Sequence, residues 1–350
     1  MNKVCFIKDP HLMFGFTNNI RKPINGKSSG WTDSIIKKLN FIKDTMLENG
    51  VNILIFSGDV FDSSDSSEVK TNSNNLKTWS FNKYLKNKNI LIDIFINSGI
   101  EIYSVQGNHD MFNGRAELKG TVFGDIVDQG VINLLTTNPL TFKTKVGLIN
   151  IIGLDYSHTK EDQTKKFIEI KKDTSINMVV SHTNISPNED QLVDFTYQEL
   201  STNFRNIDVH LCGHYHIGYP STIVNNITFI NPWNMTRVTR EYQVKMDHHK
   251  PEMVLLDLDE YSNDNLNWVT HIELPHLPFE QAFNTEIVSV LKENEKFKFF
   301  EGDSEVNLDS LNDSDRPDED LLSAIINSNL TDKTVNEKQR LLMKTIDYLK

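Results

Sequence analysis

Five short apolar runs in this sequence each end on residues that can bind a metal ion or carry a proton. Val4 to Lys8 leads into Asp9-Pro10-His11, Ile53 to Ser57 into Gly58-Asp59-Val60-Phe61-Asp62, and Ile102 to Gln106 into Gly107-Asn108-His109-Asp110. Met178 to Ser181 leads into His182, and Val209 to Cys212 into Gly213-His214-Tyr215-His216. Carboxylates, imidazoles and a carboxamide together suit Mn, Fe, Zn or Co, whereas Ca and Mg prefer all-oxygen shells. Two such cations about 3.5–4 Å apart deprotonate a water and relieve charge on phosphoryl oxygens, the two demands of phosphodiester hydrolysis at neutral pH.

A metal pair needs a shared anion. Asp59 is the candidate bridge, because Gly58 before it lets the backbone approach closely. Asp9 and His11 have one residue between them, so in an extended segment they would share a face and reach one ion together. Asn108 offers a neutral oxygen, and His182, His214 and His216 offer nitrogens. His109, next to Asn108, borders the site without needing to bind metal, and its expected role is to protonate the leaving oxygen. Asp110 is expected to fix and polarise an imidazole. Asp62 either supports the ligands in the same way or caps the loop that follows it. His158, His210, His248, His249, His271 and His276 are read as structural.

These residues need elements to position them. Short β-branched runs bounded by glycine and polar residues read as buried strands, and a ligand at each carboxyl end places them along one edge of a sheet. Between the first two runs, Thr32 to Asn49 carries Ile35, Ile36, Leu39, Ile42, Met46 and Leu47 at helical spacing, with Thr32 as N-cap and Gly50 as the stop. Leu76 to Ser98 repeats the pattern before the third run, ending at Gly99. Crossover helices between buried strands imply largely parallel pairing covered on both faces. Ile132 to Leu154 reads as shorter strands, Glu161 to Lys171 as a helix, and Thr222 to Pro275 as strands again. Further on, Leu321, Leu322, Ile325 and Ile326, then Val335, Leu341, Leu342, Ile346 and Leu349, stripe two amphipathic helical stretches.

The whole chain, at 350 residues with 38% hydrophobic and 24% charged residues, has room for one large core with an appended piece. No apolar stretch approaches the roughly 20 residues of a membrane span, and the charged Lys3 and Lys8 leave no room for a signal h-region. A cytoplasmic protein with no membrane partner is expected. The two cysteines, Cys5 and Cys212, fall inside strands and behave as small buried hydrophobes rather than a disulfide or zinc site. The net charge of -12 is concentrated in Glu301 to Asp320, so it leaves a nucleic-acid partner open. Arg21, Lys22 and Lys27 in the loop Phe14 to Gly30, and Arg115, Lys119, Arg237, Arg240 and Lys245, are candidate phosphate contacts or ordinary surface charges. The richness in Asn, Lys and Ile is what AT-rich coding produces, as in phage or low-GC bacterial genomes.

Taken in order, Asp9-x-His11, Gly58-Asp59-x-x-Asp62, Gly107-Asn108-His109-Asp110, His182 and Gly213-His214-x-His216 resemble the calcineurin-like metallophosphoesterase superfamily. The resemblance implies an α/β fold, a four-layer α/β/β/α sandwich with a small C-terminal helical extension. It assigns Asp9, His11, Asp59 and His216 to one divalent ion, and Asp59, Asn108, His182 and His214 to a second, with Mn as the first choice of metal. Within the superfamily, Gly58 to Asp62, the long helical segment and Val105 to Asp110 are most similar to SbcD-type (Mre-like) DNA repair and recombination nucleases and their phage-encoded counterparts. That likeness implies DNA as substrate and an SbcC-type coiled-coil ATPase as partner, and it allows a homodimer. It divides the chain into a nuclease domain at 1–275, a small segment with an acidic linker at 276–317, and ATPase-binding helices at 318–350. The same metal site also serves phosphatases and phosphodiesterases acting on nucleotides, small molecules or phosphoproteins. A non-catalytic scaffold is a third reading, against which the intact ligand set argues.

Overall fold

The computed structural model describes residues 2–12, 30–61, 88–111, 118, 121–136, 139–172, 174–189, 193–236, 249–278 and 282. All the described strands lie in one compact unit, built from Met1–Gly15, Thr32–Glu241 and His248–His276. Asp62, the candidate phosphate-contacting Arg and Lys residues, the acidic linker and both C-terminal stripes lie outside the described residues.

Strands β1 (Lys3–Ile7), β2 (Ile53–Phe56), β3 (Glu101–Ser104) and β4 (Asn133–Leu134) pair in parallel. Two antiparallel strands, β13 (Glu252–Asp257) and β14 (Val269–Glu273), extend that sheet beyond β1. A second sheet has a parallel centre of β6 (Gly147–Leu154), β7 (Ile176–Ser181), β10 (Val209–Cys212) and β12 (Ile227–Asn231). Antiparallel β5 (Leu140–Thr144) and β11 (Tyr219–Val224) close its two sides. A short pair, β8 (Ile185–Ser186) with β9 (Phe195–Thr196), stands apart from both sheets. The expected parallel pairing therefore holds in the centres, while the outer strands are antiparallel.

Strand alternation explains the layering. Val4, Phe6 and Ile55 from the first sheet meet Met178, Val180, Val209 and Leu211 from the second in one core between the sheets. Their neighbours Cys5, Ile7, Leu54 and Phe56 face the other way and pack on the helix Gly30–Glu48. Val179, Cys212 and Phe229 turn outward from the second sheet onto Phe167 and Leu200, which belong to the helices Lys160–Glu169 and Tyr197–Asn203. Three cores separate four layers, helix, sheet, sheet and helix, so the α/β/β/α sandwich follows directly from side chains alternating at period two.

Within the first helix, Ile35, Leu39, Ile42 and Met46 are buried at helical spacing, whereas Leu47 is 48% exposed. The helix begins at Gly30, so Thr32 lies in its first turn instead of capping it. Gly50, with φ 67°, ends it. Of the second crossover helix, residues 88–94 are described, and Gly99 closes the segment in a left-handed conformation.

The five ligand-bearing strands do not share one sheet edge. β1, β2 and β3 belong to the first sheet, β7 and β10 to the second. Their carboxyl ends meet because the sheets stack face to face with parallel centres: the imidazole of His182, after β7, reaches the carbonyl of Ser57, after β2, at 2.8 Å.

His210 alternates outward on β10 and is fully buried, its Nε2 2.9 Å from the Ser181 hydroxyl and its ring edge-on to Phe167 and Phe229. Burial pushes its pKa from 6.5 down to about 3. The unfolded chain takes up this proton below 6.5 and the folded chain does not, so stability is complete above pH 6.5 and falls as pH drops toward the folded value, by at most about 1.4 kcal/mol per pH unit. His210→Gln should flatten the loss of thermal stability between pH 6.5 and about 4 by up to this slope; an unchanged slope would place the acid sensitivity elsewhere.

Candidate metal centre

Three of the five strands that carry candidate ligands, β1, β2 and β10, lead into residues with left-handed backbone. Asp9 has φ 36°, His11 41°, Asp59 45° and His214 70°, values that a residue with a Cβ adopts at a cost of about 1–2 kcal/mol. Asp9 and His11 thus converge through a tight turn after Ile7, and the extended geometry expected for them is not what brings them together. Backbone bonds hold the turn in place: His11 N–H donates to the carbonyl of Asp59 at 2.9 Å, and Leu12 N–H to that of Val60 at 2.8 Å. Asp9 N–H donates to Ser57 Oγ at 3.0 Å, while the Ser57 hydroxyl donates to Asp9 Oδ1 at 2.6 Å.

Two clusters of donor atoms result, each with its atoms within 4.8 Å of one another: His11, Asp59 and His216, and Asp59, His182 and His214. Asp59 belongs to both. Its Oδ2 lies 3.6 Å from His11 Nε2 and 3.2 Å from His182 Nε2, while Oδ1 accepts the N–H of His109 at 2.8 Å. In the first cluster the Nε2 atoms of His11 and His216 are 3.0 Å apart. Asp9 stands beside them, with Oδ2 3.9 Å from His216 Nε2, buried and without a hydrogen-bond partner. In the second, Asn108 Oδ1 lies 3.0 Å from His182 Nε2. His182 Nδ1 faces the Ser57 carbonyl, which can only accept, so Nδ1 carries the hydrogen and Nε2 points at the oxygens of Asp59 and Asn108.

Electrostatics match this placement. Burial alone would raise the Asp59 carboxyl, but His182 and the neighbouring imidazoles bring it well below its ordinary value. Burial likewise opposes ionisation of Asp9, and His182 again outweighs it. His182 is held well above the ordinary imidazole value, because Asp59 and Asp9 override the effect of burial. His214 is pushed down to about 3 by burial and by His182, and His216 falls well below its ordinary value by burial and the adjacent His11. The latter pair are therefore neutral at pH 7, the form in which an imidazole ligates a cation. Buried carboxylate oxygens, a carboxamide oxygen and imidazole nitrogens turned toward one another, with Asp9 Oδ2 unsatisfied, are a donor set that fits two divalent cations.

The remaining candidates take distinct places. His109 is half-buried at the border, its ring edge-on to His11 with centroids 5.0 Å apart. Asp110 does not serve an imidazole: its carboxylate accepts the backbone N–H groups of Val60, Phe61 and Gly107, clamping the two loops together. Burial, reinforced by the charge of Asp59, raises its pKa to about 7. Gly58, with φ 96°, lies where a Cβ would meet His182 Nδ1 at 2.7 Å, and a Cβ at Gly107 would fall 2.1 Å from Asp59 Oδ1. Ser57 went unrecognised in the sequence reading, although it directly precedes Gly58; it ties Asp9 to His182 through its hydroxyl and carbonyl. Tyr156 also escaped notice: its ring stands edge-on to His214 and His182 at 5.1 and 6.1 Å, with no motif to mark it.

Residues 3–218 match the family model for calcineurin-like phosphoesterases. Among curated proteins the sequence has no match. Among solved structures, it is similar to an archaeal phosphodiesterase at 13% identity, over 78% of this chain and 100% of that one, with a TM-score of 0.34. It is also similar to a dimetal phosphatase from Danio rerio at 8% identity, over 79% and 96% of the two chains, with a TM-score of 0.42.

The shared carboxylate distinguishes two kinds of lesion. Gly107→Ala, which pushes on Asp59, should weaken Mn binding at both clusters by about tenfold or more. His214→Ala should weaken one cluster alone. Calorimetric titration separates the cases, and equal effects from both variants would refute the sharing.

Proposed function

The chain belongs to the calcineurin-like phosphoesterases, and from that premise we propose that it is a two-metal phosphodiesterase that cuts DNA, an SbcD-type nuclease subunit working with an SbcC-type ATPase in recombination or repair. The observation that carries the two-metal reading is the position of Asp59 Oδ2, which lies 3.6 Å from His11 Nε2 on one side and 3.2 Å from His182 Nε2 on the other. DNA as substrate is supported by the motifs around Asp59 and His109 and by the apolar stripes within 318–350, which would bind the ATPase. Residues 276–317 would then act as a linker from the nuclease domain at 1–275. No helix among the described residues is long and apolar enough to cross a membrane.

In this reading Asp9, His11, Asp59 and His216 hold one ion, and Asp59, Asn108, His182 and His214 the other, with Mn the first candidate. Bound there, the pair would supply a deprotonated water and draw charge from the phosphoryl oxygens. The chain's own residues prepare the rest. Ser57 keeps Asp9 Oδ1 occupied by a hydroxyl, leaving Oδ2 for a cation, and its carbonyl holds His182 with Nε2 turned inward. Asp59 Oδ1 anchors the His109 backbone, which sets that imidazole at the border where a leaving oxygen would need a proton. Asp110 keeps the loops of Asp59 and Asn108 in register.

His109→Ala should retain Mn and lose about 100-fold or more of the hydrolysis rate; unchanged turnover removes it from the mechanism. Mn-dependent cleavage of linear duplex and circular single-stranded DNA, measured beside bis(p-nitrophenyl) phosphate, tests the substrate. Hydrolysis of the reporter with intact DNA would shift the reading to a small-substrate phosphoesterase. Removal of residues 317–350 should spare hydrolysis and abolish ATPase binding, which a pull-down with the shortened chain decides.

A further inference from the structure

Lys8 is the one charged residue inside the run Val4 to Lys8, and it is fully buried beside Asp9. A buried ammonium is costly unless its protons find acceptors. Here the carbonyl of Tyr215, the carbonyl of Ile217 at 3.2 Å and Oδ1 of Asn231 all accept from Nζ. Each of these acceptors is uncharged. A cation held by carbonyl and carboxamide oxygens is how proteins hold a dehydrated monovalent ion.

The identity of the acceptors matters more than their number. Tyr215 and Ile217 are the residues on either side of His216, so the ammonium grips the backbone before and after this imidazole. Asn231 is buried on β12 and its other amide atom donates to the Ile185 carbonyl at 3.1 Å and the Tyr197 hydroxyl at 3.2 Å, which orients Oδ1 toward Lys8. The Lys8 carbonyl accepts the N–H of Met235 at 3.0 Å. One side chain thus joins the end of β1 in the first sheet to the His216 loop and β12 of the second.

We propose that Lys8 is a built-in monovalent cation that positions His216, and through it the cluster of His11, Asp59 and His216; its consequence for metal binding rests on the two-metal reading. The carbonyls of Tyr215 and Ile217 converge on the ammonium, and without a positive charge there they would repel and let the loop swing away. Lys8 acts through His216 and touches neither substrate nor reacting atoms, so it is a positioning residue.

The test uses the full chain with Lys8→Met, which keeps length and removes charge, and Lys8→Ala, which opens a hole lined by the same oxygens. Both variants should lose Mn affinity at one cluster by about tenfold or more and keep the other. In Lys8→Ala, ammonium or K+ at high concentration should restore that affinity and raise the melting temperature of the metal-free protein, while choline at equal ionic strength should do neither. Neither effect is expected for Lys8→Met, whose side chain fills the hole. Wild-type Mn affinity in both variants overturns the proposal, and so does a Lys8→Ala protein that responds alike to ammonium, K+ and choline. The metal-free melting comparison decides the cation role without reference to Mn, so a wild-type chain that binds a single Mn ion would sink the two-metal reading alone.

Discussion

The centre depends on one unfavourable arrangement: a carboxylate oxygen of Asp59 set between two imidazole nitrogens, with a second carboxylate and a carboxamide oxygen nearby and little solvent to separate them. Donor lone pairs brought this close repel unless a proton or a cation lies among them. Much of the neighbouring backbone is organised to hold that crowding. Four candidate ligands sit in left-handed turns, Gly107 has no side chain where Asp59 needs the space, and Asp110 spends its carboxylate on three amides to keep two loops from separating. Stability is given up locally so that the ligands are in position before any ion arrives.

The strength of this arrangement comes from its placement at the seam of two sheets. A site on one sheet edge would take its precision from neighbouring strands alone. Here Ser57, after β2, touches Asp9 with its hydroxyl and His182 with its carbonyl, so two strands of one sheet and one of the other are registered by a single residue. Lys8 does the same on the opposite flank, through Tyr215, Ile217 and Asn231. The packed core of Phe6, Ile55, Val180 and Leu211 beneath them keeps the sheets from sliding.

Much of this was readable in the residues. Buried strands announce themselves by β-branched runs, and the ligands follow at their ends; the alternation of Cys5 and Ile7 against Val4 and Phe6 already contains the two faces of β1. What was not readable depended on long-range pairing. Nothing in Met178 to Cys212 says that it builds a second sheet, so the ligands appeared to share one edge. Asp9 and His11 looked extended because sequence spacing carries no φ, and only the contacts to Ser57, Asp59 and Val60 hold their turn. Asp110 was assigned an imidazole because it follows His109, yet the side chain points back to the amides of its own loop and the one beside it. Lys8 read only as a charge at the end of a short apolar run, and its acceptors lie more than 200 residues away, at separations of 207, 209 and 223.

The pairing of β1 has a consequence for synthesis. Strand β1, Lys3–Ile7, carries Asp9 and His11 at its end, and one of its two neighbours is β13, Glu252–Asp257, which leaves the ribosome about 250 residues later. At a translation rate of about 5–20 residues per second, the N-terminal ligands wait on the order of ten seconds or more for the strand that completes their sheet. A nascent chain halted before that point already carries every candidate ligand, the last being His216, but lacks the antiparallel strand that pairs with β1. The ligand set is therefore complete in the chain earlier than the scaffold that fixes its N-terminal pair, because Asp9 and His11 sit on a strand whose second neighbour is still to be made.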